Sequence, residues 1–384
     1  MEQNLAEQIG QRIRDLRARL GLSQQQLAQQ TGIAASTLSE IENGRYAPNL
    51  KTVVSLAEAL GVSLETLLRA SQPPLQALLR TVESPANARA LRQGAELCYR
   101  YAQIESLAAV EVTPAPTYAP PRSLEEAEQI AVQERERLQL GIDPIADVVS
   151  VVENNGLRVV GIELPSGDLA GALFHDSALG SFALINRSVP PTRQLFTLLH
   201  EYAHYLMHRD QPVHVDQHPL FNQKGLEALA NRFAAAFLMP EADMQAVLTS
   251  LRLPGRKGAL PSYAWALLRR RYRVSLGALA WRLFSLGWIS EEEREWALQS
   301  AKALYAAEQA IFGDLKAPEP IPSLTERAIA LALHVYARGD ATASFTAETL
   351  RKPLALILEY LQLLQHPAAA AQECEQQGGD ALEG

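Results

Sequence analysis

One run of this chain leaves little choice of conformation: Phe196-Thr197-Leu198-Leu199-His200-Glu201-Tyr202-Ala203-His204-Tyr205-Leu206-Met207-His208. Its apolar residues recur at helical spacing and predict a helix. Within it, His200-Glu201-Tyr202-Ala203-His204 is an H-E-x-x-H sequence. Residues four apart share a helix face, so His200 and His204 can hold one metal ion together. Glu201, turned about 100° from His200 by the helical pitch, can reach a water on that metal and act as its general base. A single turn thus offers two ligands and a base.

A catalytic zinc site needs a third protein ligand and one open position. His208 continues the four-residue spacing but lies about 12 Å along the axis from His200, too far to share one ion with it. His214 and His218 are alternatives, in a predicted loop with Pro212, Asp216 and Pro219. Glu227 opens the next predicted helix, Gly225 to Pro240, and a carboxylate there can reach back across an antiparallel helix pair. Asn231 lies one turn on, placed to hydrogen-bond a ligand from behind.

The stretch before this run reads as helices and then strands. Ser123-Leu124-Glu125-Glu126 predicts a capping box opening a helix to about Leu140. Asp143-Pro144 predicts the start of the next helix, and Asn154-Asn155-Gly156 its end. Leu157–Ile162, Ala170–Phe174 and Ser181–Asn186 are β-rich runs separated by Pro165-Ser166-Gly167-Asp168 and the residues around Asp176. They predict a small antiparallel sheet. An edge strand beside a metal site can align an extended peptide by main-chain hydrogen bonds.

The first seventy residues have a different texture. Leu5, Ile9, Ile13 and Leu16 mark one face of a helix ended by Gly21. Ser23 caps a second helix with Leu27 and Ala28, stopped at Thr31-Gly32. A third runs from about Ala35 to Asn43 with Leu38 and Ile41 inward, then Gly44 and Pro48. Leu50–Leu60 and Ser63–Leu68 predict two more. Short helices around a glycine-containing turn, the third with small polar residues outward, describe a helix-turn-helix.

Between these parts, residues 72–112 are helical in pattern. Thr113-Pro114-Ala115-Pro116-Thr117-Tyr118-Ala119-Pro120-Pro121 then forbids helix and predicts an extended linker with a domain boundary. Cys98 in this connector is either a buried small hydrophobe or an inhibitory thiolate reaching the metal. Residues 290–315 predict a charged helix, and Leu324–Ala337 and Thr346–Gln365 two apolar helices. The tail from Pro367 has the composition of a disordered segment.

Composition limits the partners. A net charge of −8 gives no global reason for nucleic-acid binding, so DNA contact must come from a local surface. Two cysteines cannot form a disulfide framework and suit a reducing compartment. With a polar N-terminus and no apolar run of roughly 20 residues, the expectation is a cytoplasmic protein without membrane association.

Two resemblances sharpen this. Ser23-Gln24-Gln25-Gln26-Leu27-Ala28, Ser36-Thr37-Leu38-Ser39-Glu40-Ile41-Glu42-Asn43-Gly44-Arg45, Pro48 and Leu56-Ala57-Glu58-Ala59-Leu60-Gly61-Val62 resemble the Xre/Cro family. The resemblance implies a five-helix lambda-repressor-like domain acting as a homodimer on double-stranded operator DNA. Ala35, Ser36, Thr37, Ser39 and Glu40 would face base edges, with Gln24, Asn43 and Arg45 near phosphates. Glu40 and the absence of Arg or Lys on that helix imply modest affinity for one half-site.

Residues 156–240 resemble the ImmA/IrrE metallopeptidases, relatives of the thermolysin-like gluzincins. The matching stretches are Leu184-Ile185-Asn186, Arg193-Gln194-Leu195-Phe196-Thr197, the H-E-x-x-H run with His208, Glu227-x-x-Ala230-Asn231, and Leu238-Met239-Pro240. Tyr272-Arg273-Val274-Ser275 and Leu279-x-x-Arg282-Leu283 match the family's helical tail. The resemblance implies Zn2+ held by His200, His204 and Glu227 with Glu201 as catalytic base. Asn231 and His208 support the ligands or, for His208, the oxyanion. Tyr202 stands where the family often has an aliphatic residue.

The expectation is an α+β, predominantly helical chain: a DNA-binding domain (1–70), a helical connector and Pro-rich linker (71–122), a metallopeptidase domain with a small antiparallel sheet (123–290), a helical C-terminal region (291–366) and a tail (367–384). The expected function is a transcriptional regulator with a zinc endopeptidase that cleaves a regulator, either an Xre-like repressor or the chain itself. The rival reading is a non-proteolytic regulator or antitoxin whose metal domain senses a ligand or mediates interaction.

Overall fold

The computed structural model describes residues 9–10, 13–14, 16–17, 22–60, 62, 85–164, 169–176, 179–209, 213–215, 225–253, 260–315 and 317–365. The chain divides into two compact units, Met1–Gln76 and Ala77–Gly384. It is α+β and predominantly helical, as expected. The stop at Gly21, the helix at Ser63–Leu68, the turn at 165–168 and the tail from Pro367 lie outside the described residues.

In the first unit, residues 9–17 are helical where described and precede α1 (Gln24–Thr31), α2 (Ala35–Glu42) and α3 (Leu50–Ala59). Ser23 and Gln26 form a reciprocal capping box at the start of α1, so two otherwise orphaned N–H groups are satisfied. Asn49 caps α3 by accepting the Thr52 N–H. Ile9, Ile13, Leu27, Leu38, Ile41, Val53 and Leu56 close a single core. At the end of α2, Glu42 is buried and held by both arms of Arg17 at 2.6 and 2.9 Å. Burial pushes its carboxyl up, but Arg17 and Gln24 outweigh that and hold it below the usual range.

The second unit begins with α4 (Pro85–Leu107), which the sequence assigns to a connector. Leu91, Leu97, Cys98, Tyr101 and Ile104 are buried, because α4 packs on the first strand of the sheet. The proline-rich segment is likewise packed rather than a free tether. Ala115 N–H reaches Asn155 O and Tyr205 Oη, and Tyr118 N–H donates to Leu206 O at 2.9 Å. It runs so close to Gly156 (φ 84°) that a Cβ there would meet Pro114, Thr113 O and Tyr205 Oη at 2.9 Å each. Proline forbids a helix here, and these bonds replace the ones a helix would have supplied.

Helix α5 (Leu124–Arg137) is capped by Ser123, but the expected box is half formed: Glu126 accepts from Arg122 N–H instead. Helix α6 (Val148–Glu153) starts later than Asp143-Pro144, since Asp147 provides the cap by accepting the Ser150 N–H at 3.0 Å. The strands β1 (Leu157–Ile162), β2 (Gly171–Asp176) and β3 (Gly180–Asn186) fall on the three β-rich runs. Then come α7 (Pro191–Met207), β4 (Val213–Val215) and α8 (Gly225–Leu238).

The strand order is β1-β3-β2-β4, and β1 pairs parallel with β3. The expected antiparallel sheet is therefore mixed. β2 and β3 form an antiparallel hairpin, and β1 joins it on the far side of β3, running parallel to β3.

Helix α7 is buried along nearly its whole length and packs across α8, which in turn lies on α5. Helices α9 (Glu241–Ser250), α10 (Ser262–Tyr272), α11 (Leu276–Ser285), α12 (Glu291–Gln299) and α13 (Ala301–Phe312) extend this core. The single charged helix expected over 290–315 is two, parted at Ser300. Last come α14 (Glu326–Ala337), α15 (Ala343–Leu350) and α16 (Leu354–Gln365). The run 346–365 breaks at Arg351 (φ 52°), where Pro353 bars Lys352 from the helical region. No helix among the described residues is long and apolar enough to cross a membrane.

Candidate metal centre and nucleic-acid-facing helix

Helix α7 starts at Pro191, whose missing N–H is harmless in a first turn. Gln194 fixes that turn. It is fully buried, donates to Val189 O at 2.7 Å and Arg187 O at 3.1 Å, and accepts the Ile321 N–H at 2.8 Å. Two turns on, His200 and His204 face α8, which brings Glu227 and Asn231 against them.

One ligand atom each from His200, His204 and Glu227 lies within 4.8 Å of the others. His200 Nε2 is 3.0 Å from Glu227 Oε2 and 3.1 Å from His204 Nε2, and His204 Nε2 is 3.4 Å from Glu227 Oε1. Asn231 Oδ1 sits 2.9 Å from His200 Nδ1. An amide oxygen only accepts, so Nδ1 of His200 donates to Asn231 and its Nε2 is left facing the cluster. His204 Nδ1 lies 3.0 Å from His208 Nδ1, so His208 stands behind His204 as Asn231 stands behind His200.

Lone pairs and a carboxylate converging at such distances repel unless a proton or cation lies among them. Two imidazole nitrogens and one carboxylate are also the donor set of a catalytic zinc. The residues therefore fit a metal ion. Burial raises the Glu227 carboxyl, but the two imidazoles outweigh it and hold Glu227 far below the ordinary carboxylate range. The histidine side chains are 3% and 1% exposed and Glu227 29%, so the cluster opens to solvent on the Glu227 side.

Glu201 is fully buried on the same helix, facing the start of β2. A Cβ on Gly171 would come within 2.5 Å of Thr197 Cγ2 and 3.1 Å of Glu201 Oε1, so only glycine lets β2 pass this closely. The outer strand on that side of β2 is β4, paired along Ala172–Phe174. His214 lies in β4, but its side chain, like His218, is outside the described residues.

Sequence reasoning missed what holds α7 in place. Tyr202 Oη donates to Glu134 Oε1, and Glu134 also accepts from Tyr118 Oη at 2.9 Å and twice from Arg137, at 2.6 and 2.7 Å. Arg209 donates to Ala115 O at 2.9 Å and stacks 3.9 Å above the Tyr205 ring. Burial, then Glu134, raises the Tyr202 phenol, which stays a donor. The unusual Tyr202 was the one visible signal. Cys98 is fully buried in α4 with its thiol pushed up by desolvation, so it is a packed hydrophobe rather than a reactive thiolate.

In the first unit, Ala35, Ser36, Glu40, Asn43 and Arg45 are exposed and Thr37 and Ser39 half-buried, while Leu38 and Ile41 point inward. No side chain caps α2 at Ala34, so its outer face begins with the small residues Ala35 and Ser36. Gln24 donates to Glu42 at 2.7 Å and Asn43 to Ser39 O at 2.7 Å, so both are engaged within the unit.

Residues 152–284 match the IrrE N-terminal-like domain family and residues 13–67 the helix-turn-helix family. Over 165 residues the chain is 34% identical to the radiation response metalloprotease IrrE of Deinococcus deserti, covering 38% of this chain and 56% of that protein. Over 70 residues it is 39% identical to the immunity repressor protein of Bacillus phage phi105, covering 17% of this chain and 49% of that one. An uncharacterised helix-turn-helix transcriptional regulator of Methanothermobacter thermautotrophicus is 43% identical over 49 residues, 13% of this chain and 71% of that protein. The chain thus spans about half the length of the first two relatives, 56% and 49%.

Proposed function

We propose that this chain, whose residues 13–67 match the helix-turn-helix family and whose residues 152–284 match the IrrE N-terminal-like domain family, is a DNA-binding regulator whose second unit is a zinc-dependent endopeptidase. Its substrate on this reading is a regulator of transcription: a helix-turn-helix repressor or another copy of the chain itself. The observation that carries the reading is the convergence of His200, His204 and Glu227 around one point beside a buried Glu201.

Zinc held by those three residues would supply Lewis acidity, activating water and polarising a peptide carbonyl. The chain's own residues do the rest. Asn231 fixes His200 as the Nδ1–H tautomer, and His208 orients the ring of His204. Glu201 takes the proton from water and passes it to the leaving amine. An extended substrate would align by main-chain bonds along the outer strand beside the site, which is β4.

On the DNA side, α2 would enter the major groove with Ala35, Ser36, Thr37, Ser39 and Glu40 toward base edges, and Gln24, Asn43 and Arg45 near phosphates. Two copies on paired half-sites would offset the weak electrostatics of one.

The test uses purified, zinc-loaded full-length chain and its Glu201→Gln variant. Each is incubated alone and with a helix-turn-helix repressor, with and without single-stranded DNA, and read on a gel. Cleavage by the wild type and not by the variant supports the proposal. No cut in either supports the rival reading, a regulator whose metal domain senses or binds without proteolysis. Operator binding should fall when Ser36 and Thr37 are both changed to alanine; unchanged binding would remove α2 from the DNA interface.

A further inference from the structure

Away from the metal cluster, the second unit contains a cavity of about 600 Å³ between α4, the segment before α14, and the α15–α16 corner. That volume lies in the range of sites for small organic ligands. Leu97, Leu324, Ile329, Leu333 and Ile357 make its apolar lining. Leu356 and Tyr360 flank it and are 47% and 45% exposed, an apolar surface that water covers poorly.

The charges in the lining are of one sign. Among the described residues, Arg187, Arg351 and Lys352 are its only ionisable groups besides the phenol of Tyr360, in a chain whose net charge is −8. Among the described residues, no carboxylate forms an ion pair with Arg351 or Lys352. Arg187 is fixed in advance, donating to Ile321 O at 3.0 Å and Ser323 Oγ at 2.9 Å. Its one acidic neighbour, Glu163 at 3.4 Å, is exposed and outside the lining. The left-handed backbone at Arg351 turns the chain between α15 and α16, so that Arg351 and Lys352 both line the cavity.

An apolar chamber with cations and no anions selects for a ligand of matching build. We propose that this cavity binds a small amphiphilic anion, an apolar body of roughly ten carbons carrying one carboxylate-like head, with the body among Leu97, Leu324 and Leu333 and the head against Arg351 and Lys352. This site is separate from the metal cluster and does not depend on the peptidase reading.

The experiment is calorimetric titration of the full-length chain with decanoate, decanol and decyltrimethylammonium, all below their micelle concentrations. Decanoate should bind saturably, one per chain, roughly tenfold or more tighter than decanol, with no binding of the cation. The double variant Arg351→Gly/Lys352→Gln removes two cations and places glycine where the backbone is left-handed. It should weaken decanoate about tenfold and leave decanol unchanged. Leu333→Trp should fill the chamber and abolish both. The proposal is overturned if decanoate does not bind, if decanoate and decanol bind alike, or if either variant binds decanoate as the wild type does. Should Leu333→Trp fail to fold, the surface double variant alone decides the matter.

Discussion

Replacing Tyr202 by phenylalanine tests whether the proline-rich segment and α5 hold the metal helix in register. The change removes one oxygen and leaves the ring, which packs among Tyr205, Phe233 and Phe237. What is lost is a buried hydrogen bond to the Glu134 carboxylate. Bonds to charged groups contribute about 1.5–3 kcal/mol. Glu134 keeps Tyr118 and both bonds from Arg137, so it is not stranded, and the loss belongs near about 2 kcal/mol rather than the about 3–5 of a broken buried pair. Tyr205→Phe is the comparison: its hydroxyl exchanges two neutral bonds, with Ala115 N–H and Asn155 O, worth about 1 kcal/mol each. Urea unfolding of the full-length chain, followed through the second unit's transition, gives both numbers. If Tyr202→Phe falls within about 0.5 kcal/mol of wild type, the clamp does not exist as described.

Gly171→Ala should leave one zinc per chain while lowering peptide cleavage at least about tenfold, because the new Cβ displaces Thr197 and Glu201 but touches no ligand; equal activity would remove Glu201 from the reaction. His208→Leu should weaken zinc roughly 10–100-fold in chelator competition, with His208→Asn partly restoring it through its amide oxygen; zinc affinity indifferent to both would make His208 a packing residue only. In the first unit, Glu42 titrates lower folded than unfolded, so its contribution is complete above the unfolded carboxylate value of about 4.3 and is lost as pH falls through the folded value. Hydrogen exchange of α1 and α2 across that window should show the loss, and Glu42→Gln should flatten it.

The site was legible in the sequence where it is local. His200, Glu201 and His204 share a helical turn, and Glu227 and Asn231 repeat the same spacing on the next helix. The three strands announced themselves by β-branched and aromatic runs. What could not be read has partners far away along the chain. Gln194 meets Ile321 127 residues on, and Tyr202 meets Glu134 68 residues back, with nothing in either neighbourhood to point to the other. The parallel pairing of β1 rests on strand order and direction, which local periodicity does not encode. The proline-rich segment misled for a related reason: proline excludes helix equally in a free linker and in a strand-like segment bonded to a neighbour, and only the neighbours at Tyr205 and Leu206 decide which.

On the proposed reading, that difference changes where the chain would cut itself. A peptidase of this kind takes its substrate extended, with main-chain groups open for pairing. Residues 85–107 are helix, and within residues 113–121 the backbone groups of Ala115 and Tyr118 bond to Asn155, Tyr205, Leu206 and Arg209, on and beside the helix that carries His200 and His204. Cutting either stretch would first require undoing the packing that holds His200 and His204 in place, so the reaction would disable its own site. Self-cleavage should therefore fall within 71–84 or 108–112. Mass spectrometry of the larger product from zinc-loaded chain should find a new N-terminus there, and the fragment should keep its zinc. A cut within 113–121 would refute the argument, because a segment that can be cut while the site works is not holding the site together.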